Sequence, residues 1–123
     1  MAKWQIDAML DAALDYISSN ADEIFVCNAQ PTTYAEASST FALTDVAAPS
    51  FQANADGDVS GRKLAVDQEP DVAINTTDTA THIALCKNVG SILLYVTTCT
   101  SQALTSGGTV TIPTWDIEIE DAA

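Results

Sequence analysis

Apolar residues in the N-terminal stretch WQIDAMLDAALDYISSN recur with helical spacing: Ile6, Leu10, Ala13, Leu14 and Ile17 stand at i, i+4, i+7, i+8 and i+11. Side chains so spaced share one side of an α-helix, which predicts a helix over 5–19 that docks by this stripe. Asp7, Asp11 and Asp15 recur at i, i+4 and i+8 on another side. Like charges at that spacing repel one another unless solvent or a basic partner relieves them. The expectation is a solvated acidic face, with a docking edge as the alternative.

Beyond the helix the period changes. EIFVCN, Glu23 to Asn28, is short and rich in branched and aromatic residues, as a strand requires. Pro31 blocks its continuation, and Thr33 and Glu36 stand at capping-box spacing, which predicts a helical turn or two from Tyr34. From Phe41 to Ser60 no period is sustained, so 41–60 reads as a long loop, and loops of that length in compact domains commonly bind something.

The half from 61 to 120 is β-rich. GRKLAVDQ, DVAINTT, ATHIALCKN, SILLYVTTCTSQAL and TVTIPTWDIEIED are strand candidates, separated by Glu69-Pro70, Thr77-Asp78, Asn88-Val89-Gly90 and Ser106-Gly107-Gly108. In SILLYVTTC, Ile92, Leu94 and Val96 alternate with Leu93, Tyr95 and Thr97, so both faces are largely apolar and a central strand is predicted. The last candidate shifts phase. Val110 and Ile112 share one parity and Trp115, Ile117 and Ile119 the other, with Pro113 at the changeover, where a bulge or an edge position accommodates a missing N–H. Asp116, Glu118 and Glu120 then line a wet side. The fold class that follows is mainly β with an N-terminal α-helix: a single domain over 1–123 built as an antiparallel β-sandwich or jelly-roll-like module.

Composition and charge narrow the function. A 47% hydrophobic content with 17% charged residues argues for a packed core over disorder. No apolar run approaches the roughly 18 residues of a membrane span, and Asp7, Asp11 and Asp15 occupy the place where a signal peptide has its apolar centre. No membrane partner is expected. Four basic residues against seventeen acidic ones give a net charge of −13, which repels phosphate backbones, so direct nucleic-acid binding is not expected. An acidic inhibitor that imitates DNA is a minor alternative, less suited to a chain that spends its length on Thr, Ala and Val.

Candidate chemistry is sparse. NADGDVSGRK resembles the start of a calcium loop, but counting from Asn54 puts Val59 where the bend needs glycine and Ala65 where the bidentate carboxylate belongs. Counting from Asp56 restores Gly61, but Asp67 then follows a strand and not a helix. A turn feeding the segment from Arg62 is the expectation. Cys27, Cys86 and Cys99 are an odd set without a C-x-x-C pair, which suits free thiols in a reducing compartment, a Cys86–Cys99 bridge being conceivable only if their strands pair. His82 is the one histidine, too few for a zinc site. It lies four residues from Cys86 in a strand, about 13 Å along the chain, too far for a nucleophile–base pair. Glu69, Asp71, Glu118 and Glu120 offer carboxylate pairs of the glycosidase kind, but seventeen acids supply such pairs by chance. The expectation is no enzyme, no cofactor and no metal.

The order of elements, MLDAALDYI, AQPTTYAEA, SGRK, TATHIALC, LLYVTTCTSQAL and SGGTVTIPTWDIEIED, resembles over nearly the whole chain a group of small virion proteins of tailed bacteriophages. The ending, with THIAL, LLYV and GGTVTIPTWDIEI in close succession, is its most specific part. The resemblance implies a β-sandwich or jelly-roll-like module without catalytic residues that works by contact in the virion, having assembled in the host bacterial cytoplasm. Its implied role is a capsid decoration (cement) protein whose partners are the major capsid protein and further copies of itself, as a trimer. The alternative is a tail or tail-fibre module that contacts a host receptor. In either case the apolar residues left over by the helix stripe and the strands, Phe41, Leu43, Val46 and Phe51, are the candidates for partner contacts, on an arm formed by 41–60.

Overall fold

A computed structural model describes residues 6–120. The strand Glu23–Cys27 (β1) sets its plan, because Ile24, Phe25, Val26 and Cys27 are all buried and point alternately to two sides. Such a strand needs neighbours along both edges and cover on both faces. Its edges pair antiparallel with Ala42–Ala47 (β2) and, across Asp78–Lys87 (β6), lead to Ile92–Leu104 (β7), giving the order β2-β1-β6-β7. Between them in sequence lie Ala55–Asp56 (β3), Arg62–Val66 (β4) and Glu69–Ala73 (β5); Thr109–Ile112 (β8) and Trp115–Ile119 (β9) follow. A second sheet has the order β3-β4-β9 and a third pairs β5 with β8. The protein is thus mainly β, with antiparallel sheets in a β-sandwich-like arrangement and one N-terminal helix.

Two apolar clusters cover the two faces of β1. The larger gathers Ile24, Val26, Ile83 and Leu85 from the first sheet with Leu64, Val66 and Ile117 from the second and Val72 and Ile112 from the third. The smaller holds Phe25, Cys27, Ala84 and Cys86 beneath Ala37, Tyr34 and Phe41. Its lid is the helical turn predicted from Tyr34, which continues as a π-helical turn over Glu36–Thr40. Half of the expected capping box forms: Glu36 N–H donates to Thr33 Oγ1 at 3.2 Å, while the Glu36 carboxylate reaches one residue further back and accepts from the Thr32 N–H at 2.9 Å and hydroxyl at 2.7 Å. Those two Thr32 bonds hold the Glu36 carboxyl below the usual carboxylate range. The turn closes with Phe41 N–H donating to Glu36 O at 2.8 Å, a five-residue step that swings the Phe41 ring over the sheet.

The helix Asp7–Asn20 (α1) docks differently from its sequence stripe. Leu14 is fully buried, with Leu10 and Ile17 half-buried, but Ile6 and Ala13 are exposed. The acidic side stays largely in solvent, with Asp7 and Asp15 exposed, but it also meets the β3–β4 hairpin: Arg62 Nε donates to the half-buried Asp11 Oδ1 at 2.9 Å and Asn54 Nδ2 to Asp15 Oδ1 at 2.8 Å. A basic partner within the chain relieves the repulsion and fixes the rotation of the helix about its axis. Lys87 Nζ, donating to Asn20 Oδ1 at 3.0 Å, ties down its last turn.

Four further differences from the sequence reading have local causes. Residues 41–60 are not one loop: they contain β2, β3 and a bridge between Phe51 and Val66. Ala, Thr and Asp give β2 little intrinsic strand preference, and pairing with β1 supplies what propensity does not. Strand β7 lies at the end of its sheet, not in the centre. Its two apolar faces are explained by the two clusters, since Leu94, Tyr95 and Cys99 pack on the larger and Leu93 and Val96 on the smaller. Glu69-Pro70, read as a separator, begins β5, where a register shift before Val72 coincides with a left-handed Asp71 at φ 54°. The phase shift at Pro113 is a change of sheet: β8 pairs with β5, and two residues later β9 pairs with β4.

Because Leu14 is the one helical side chain wholly inside the larger cluster, Leu14→Ala is expected to destabilise the domain by about 3 kcal/mol, measured by urea unfolding.

Candidate functional site

The four predicted contact residues are distributed over the interior. Leu43 is 1% exposed and part of the larger cluster, so it offers no side chain to a partner. Val46 and Phe51 are half-buried against the same cluster, and Phe41 packs on the smaller one. The segment is a sheet edge followed by a hairpin, not an arm. Asn75 N–H and Thr76 N–H both donate to Leu43 O, at 2.9 and 3.3 Å, so the outer side of β2 is also occupied there.

The stretch that resembled a calcium loop is a hairpin. Asp56 pairs with Arg62 Nη1 at 2.7 Å and Asp58 with Lys63 Nζ at 2.7 Å. Lys63 also reaches Asp116 at 3.4 Å, and its ammonium holds the Asp58 carboxyl below the usual range. Gly61 closes the turn at φ 73°, where a Cβ would collide with the Ile119 carbonyl oxygen. Among the described residues no three His, Cys, Asp or Glu side chains come together in a way that could hold a metal ion.

The other candidates for chemistry are kept apart. Glu69 and Asp71 lie on β5, whereas Glu118 lies on β9 in another sheet and accepts the Val59 N–H at 3.0 Å. His82 faces Cys27 across the β1–β6 ladder, and its Nδ1 lies 2.8 Å from the Thr81 hydroxyl. All three cysteines are free. Strands β6 and β7 do pair, but Cys86 stands opposite Leu93, six residues from Cys99, a separation of about 20 Å along the strand, against the roughly 7 Å limit between the Cα atoms of a disulfide. Burial pushes the Cys27 thiol up to about 11 and the Cys86 thiol up to about 12. At neutral pH both remain thiols and behave as small apolar groups.

What remains for a site is surface, and charge sorts it. Strand β7 has no charged residue over its thirteen positions, and beside it a cleft of about 490 Å³ opens toward β8 and β9. Thr97, Thr98, Thr100, Gln102 and Asp116 give the cleft polar groups, and Ile83, Val110 and Leu104 give it apolar walls. Trp115 lines it, stacked on Tyr95 at a ring separation of 6.2 Å, with a buried Nε1–H that has no acceptor. The second uncharged surface is the outward side of α1, with Ile6 52%, Met9 64% and Tyr16 57% exposed. Sequence reading missed both, the first because β7 reads as central and the second because the stripe was assigned whole to the core. No helix among the described residues is long and apolar enough to cross a membrane. Comparison of the chain with protein-family models, with curated proteins and with solved structures gave no match.

Phe51→Ser removes a half-buried ring from the larger cluster and is expected to lower stability by about 2 kcal/mol, seen as an earlier midpoint in urea. Alkaline pH tests the thiols. Their folded values lie above the ordinary 9.0, so the stability they contribute is whole below pH 9.0 and is lost as pH rises toward 11 and 12. The melting temperature is expected to fall over that window, and to fall less steeply in the Cys27→Ala, Cys86→Ala double variant.

Proposed function

We propose that this chain is a non-enzymatic structural protein of a tailed-bacteriophage virion, a capsid decoration (cement) protein that binds the outer surface of the major capsid shell. The observation that carries the reading is the division of its surface. Acids line the wet side of β9, the β3–β4 hairpin and β5, on a chain of net charge −13. The outward side of α1 and the whole of β7 carry no charge. An acidic exterior holds particles apart in solution, while neutral, partly apolar surfaces are where subunits meet without opposing like charges. The likeness of the chain's ending to small virion proteins adds the setting: assembly in the host cytoplasm, with free cysteines, onto a symmetric shell that offers many equivalent seats.

A second reading, a tail or fibre module that contacts a host receptor, draws on the cleft beside β7. Its threonine hydroxyls, Gln102 and Asp116 are groups that hydrogen-bond sugars.

One experiment separates the two readings. Purified protein is mixed with shells and, separately, with isolated tails, each assembled without it. Saturable co-sedimentation with shells, at a fixed ratio to the major capsid protein, is expected. Binding to tails and not to shells would overturn the decoration reading in favour of the second.

A further inference from the structure

Residues 97–100 of β7 and 110–113, at the end of β8, line the cleft in unbroken runs. Neighbouring side chains of a strand point to opposite faces, so an unbroken run marks a strand met along its edge, where the backbone N–H and C=O groups lie. Among the described residues β7 pairs with β6 alone and β8 with β5 alone, which leaves both of these edges without a ladder partner. A tight turn over 105–108, with Gly108 N–H donating to Thr105 O at 3.1 Å, joins the two strands. Strands so joined ordinarily pair with each other. Here they splay, and the cleft of about 490 Å³ is the opening between them. A bulge of β7 lies at the same place: Cys99, Thr100 and Ser101 stand opposite Thr81 alone, between the pairs Ala80 with Gln102 and His82 with Thr98.

We propose that the cleft takes an extended segment of a different protein, which adds a strand between β7 and β8. The backbone of the segment pairs with the two open edges, and its side chains alternate between the cleft and solvent. Val26, Ile83 and Leu104 are the buried residues that line the cleft, so the inward side chains are apolar. Asp116, still exposed beside Lys63, is the one charged residue lining it, on a chain of net charge −13. The outward side chains therefore include a lysine or arginine and no acid. A second copy of this chain is disfavoured on the same ground. Sheet edges that must not pair are guarded by charged side chains, lysine above all, and β7 has none over its length. A sugar is held through side chains and leaves the backbone groups of both edges to water, whereas a strand satisfies them. The inference does not rest on the decoration reading: it stands whether shell or tail supplies the segment.

Amide hydrogen exchange of the isotope-labelled full chain, followed by NMR, tests the proposal. The probe is a capped octapeptide of alternating threonine and valine with one lysine on the threonine side, at millimolar concentration. Exchange is expected to slow about tenfold at alternate amides within 97–103 of β7 and 109–112 of β8, and to stay unchanged elsewhere. The same peptide methylated at alternate backbone nitrogens is expected to lose protection on one of the two strands, and the peptide with glutamate for lysine to protect less. Thr100→Pro removes a backbone N–H where β7 has no partner on β6, and is expected to abolish the protection. Thr100→Lys guards the edge with charge and serves as a second variant should the first not fold. Protection of neither strand by the unmodified peptide overturns the proposal, as does protection undiminished by both Thr100 variants. Protection that grows with protein concentration in the absence of peptide assigns the edges to a second copy and equally overturns it. A neutral oligosaccharide that shifts the side-chain signals of the cleft while the peptide does not assigns the cleft to sugars. None of these outcomes alters what sedimentation with shells and tails decides.

Discussion

Everything in this fold answers to a strand with no exposed face. Ile24 and Val26 need apolar cover on one side of β1, and Phe25 and Cys27 need it on the other. The first requirement is met by packing the sheet against two smaller sheets and the buried side of α1. The second is met at short range, by the turn that follows Pro31. There Phe25 meets the Tyr34 ring edge-on at 6.4 Å, and the Tyr34 hydroxyl donates to the Glu23 carboxylate at 2.7 Å. A five-residue strand thereby organises both cores, and β6, bearing Ile83 and Leu85 on one face and Ala84 and Cys86 on the other, repeats its pattern one place along the sheet.

Where a signal was local, the sequence announced it. The helix, the strand at Glu23, the turn from Tyr34, the β-rich second half and the change of face at Pro113 all have causes within a few residues: period, capping chemistry or a missing N–H. What was not legible depended on distant partners. Strand β2 exists because β1 templates it, and the rotation of α1 depends on Arg62, which lies 51 residues from Asp11. The position of β7 in its sheet could not be read from its own residues, because two apolar faces describe a central strand and an edge strand between two clusters equally well. The packing of the contact candidates was hidden for the same reason. Phe41, Leu43, Val46 and Phe51 looked uncommitted only while the pattern around them was weak.

The scarcity of positive charge gives each cation among the described residues a defined task. Arg62 joins the helix to the hairpin, Lys63 joins the hairpin to β9, and Lys87 secures the end of the helix. Cations so committed are unavailable to neutralise the outward acids. Among the described residues the electrostatics of the surface are therefore almost wholly those of carboxylates, interrupted by the neutral strips at α1 and β7.

The two-residue passage at Pro113 and Thr114 joins strands that complete two different sheets. Ladder contacts such as Lys63 with Glu118 and Val72 with Val110 join residues far apart in sequence, so each carries the entropy of closing a long loop. Neither partner strand can be satisfied before the segment 109–119 arrives, and its arrival on one partner brings the other within two residues of its own ladder. The segment therefore closes two long-range ladders together. A chain interrupted before it would expose the edges of β4 and β5 together.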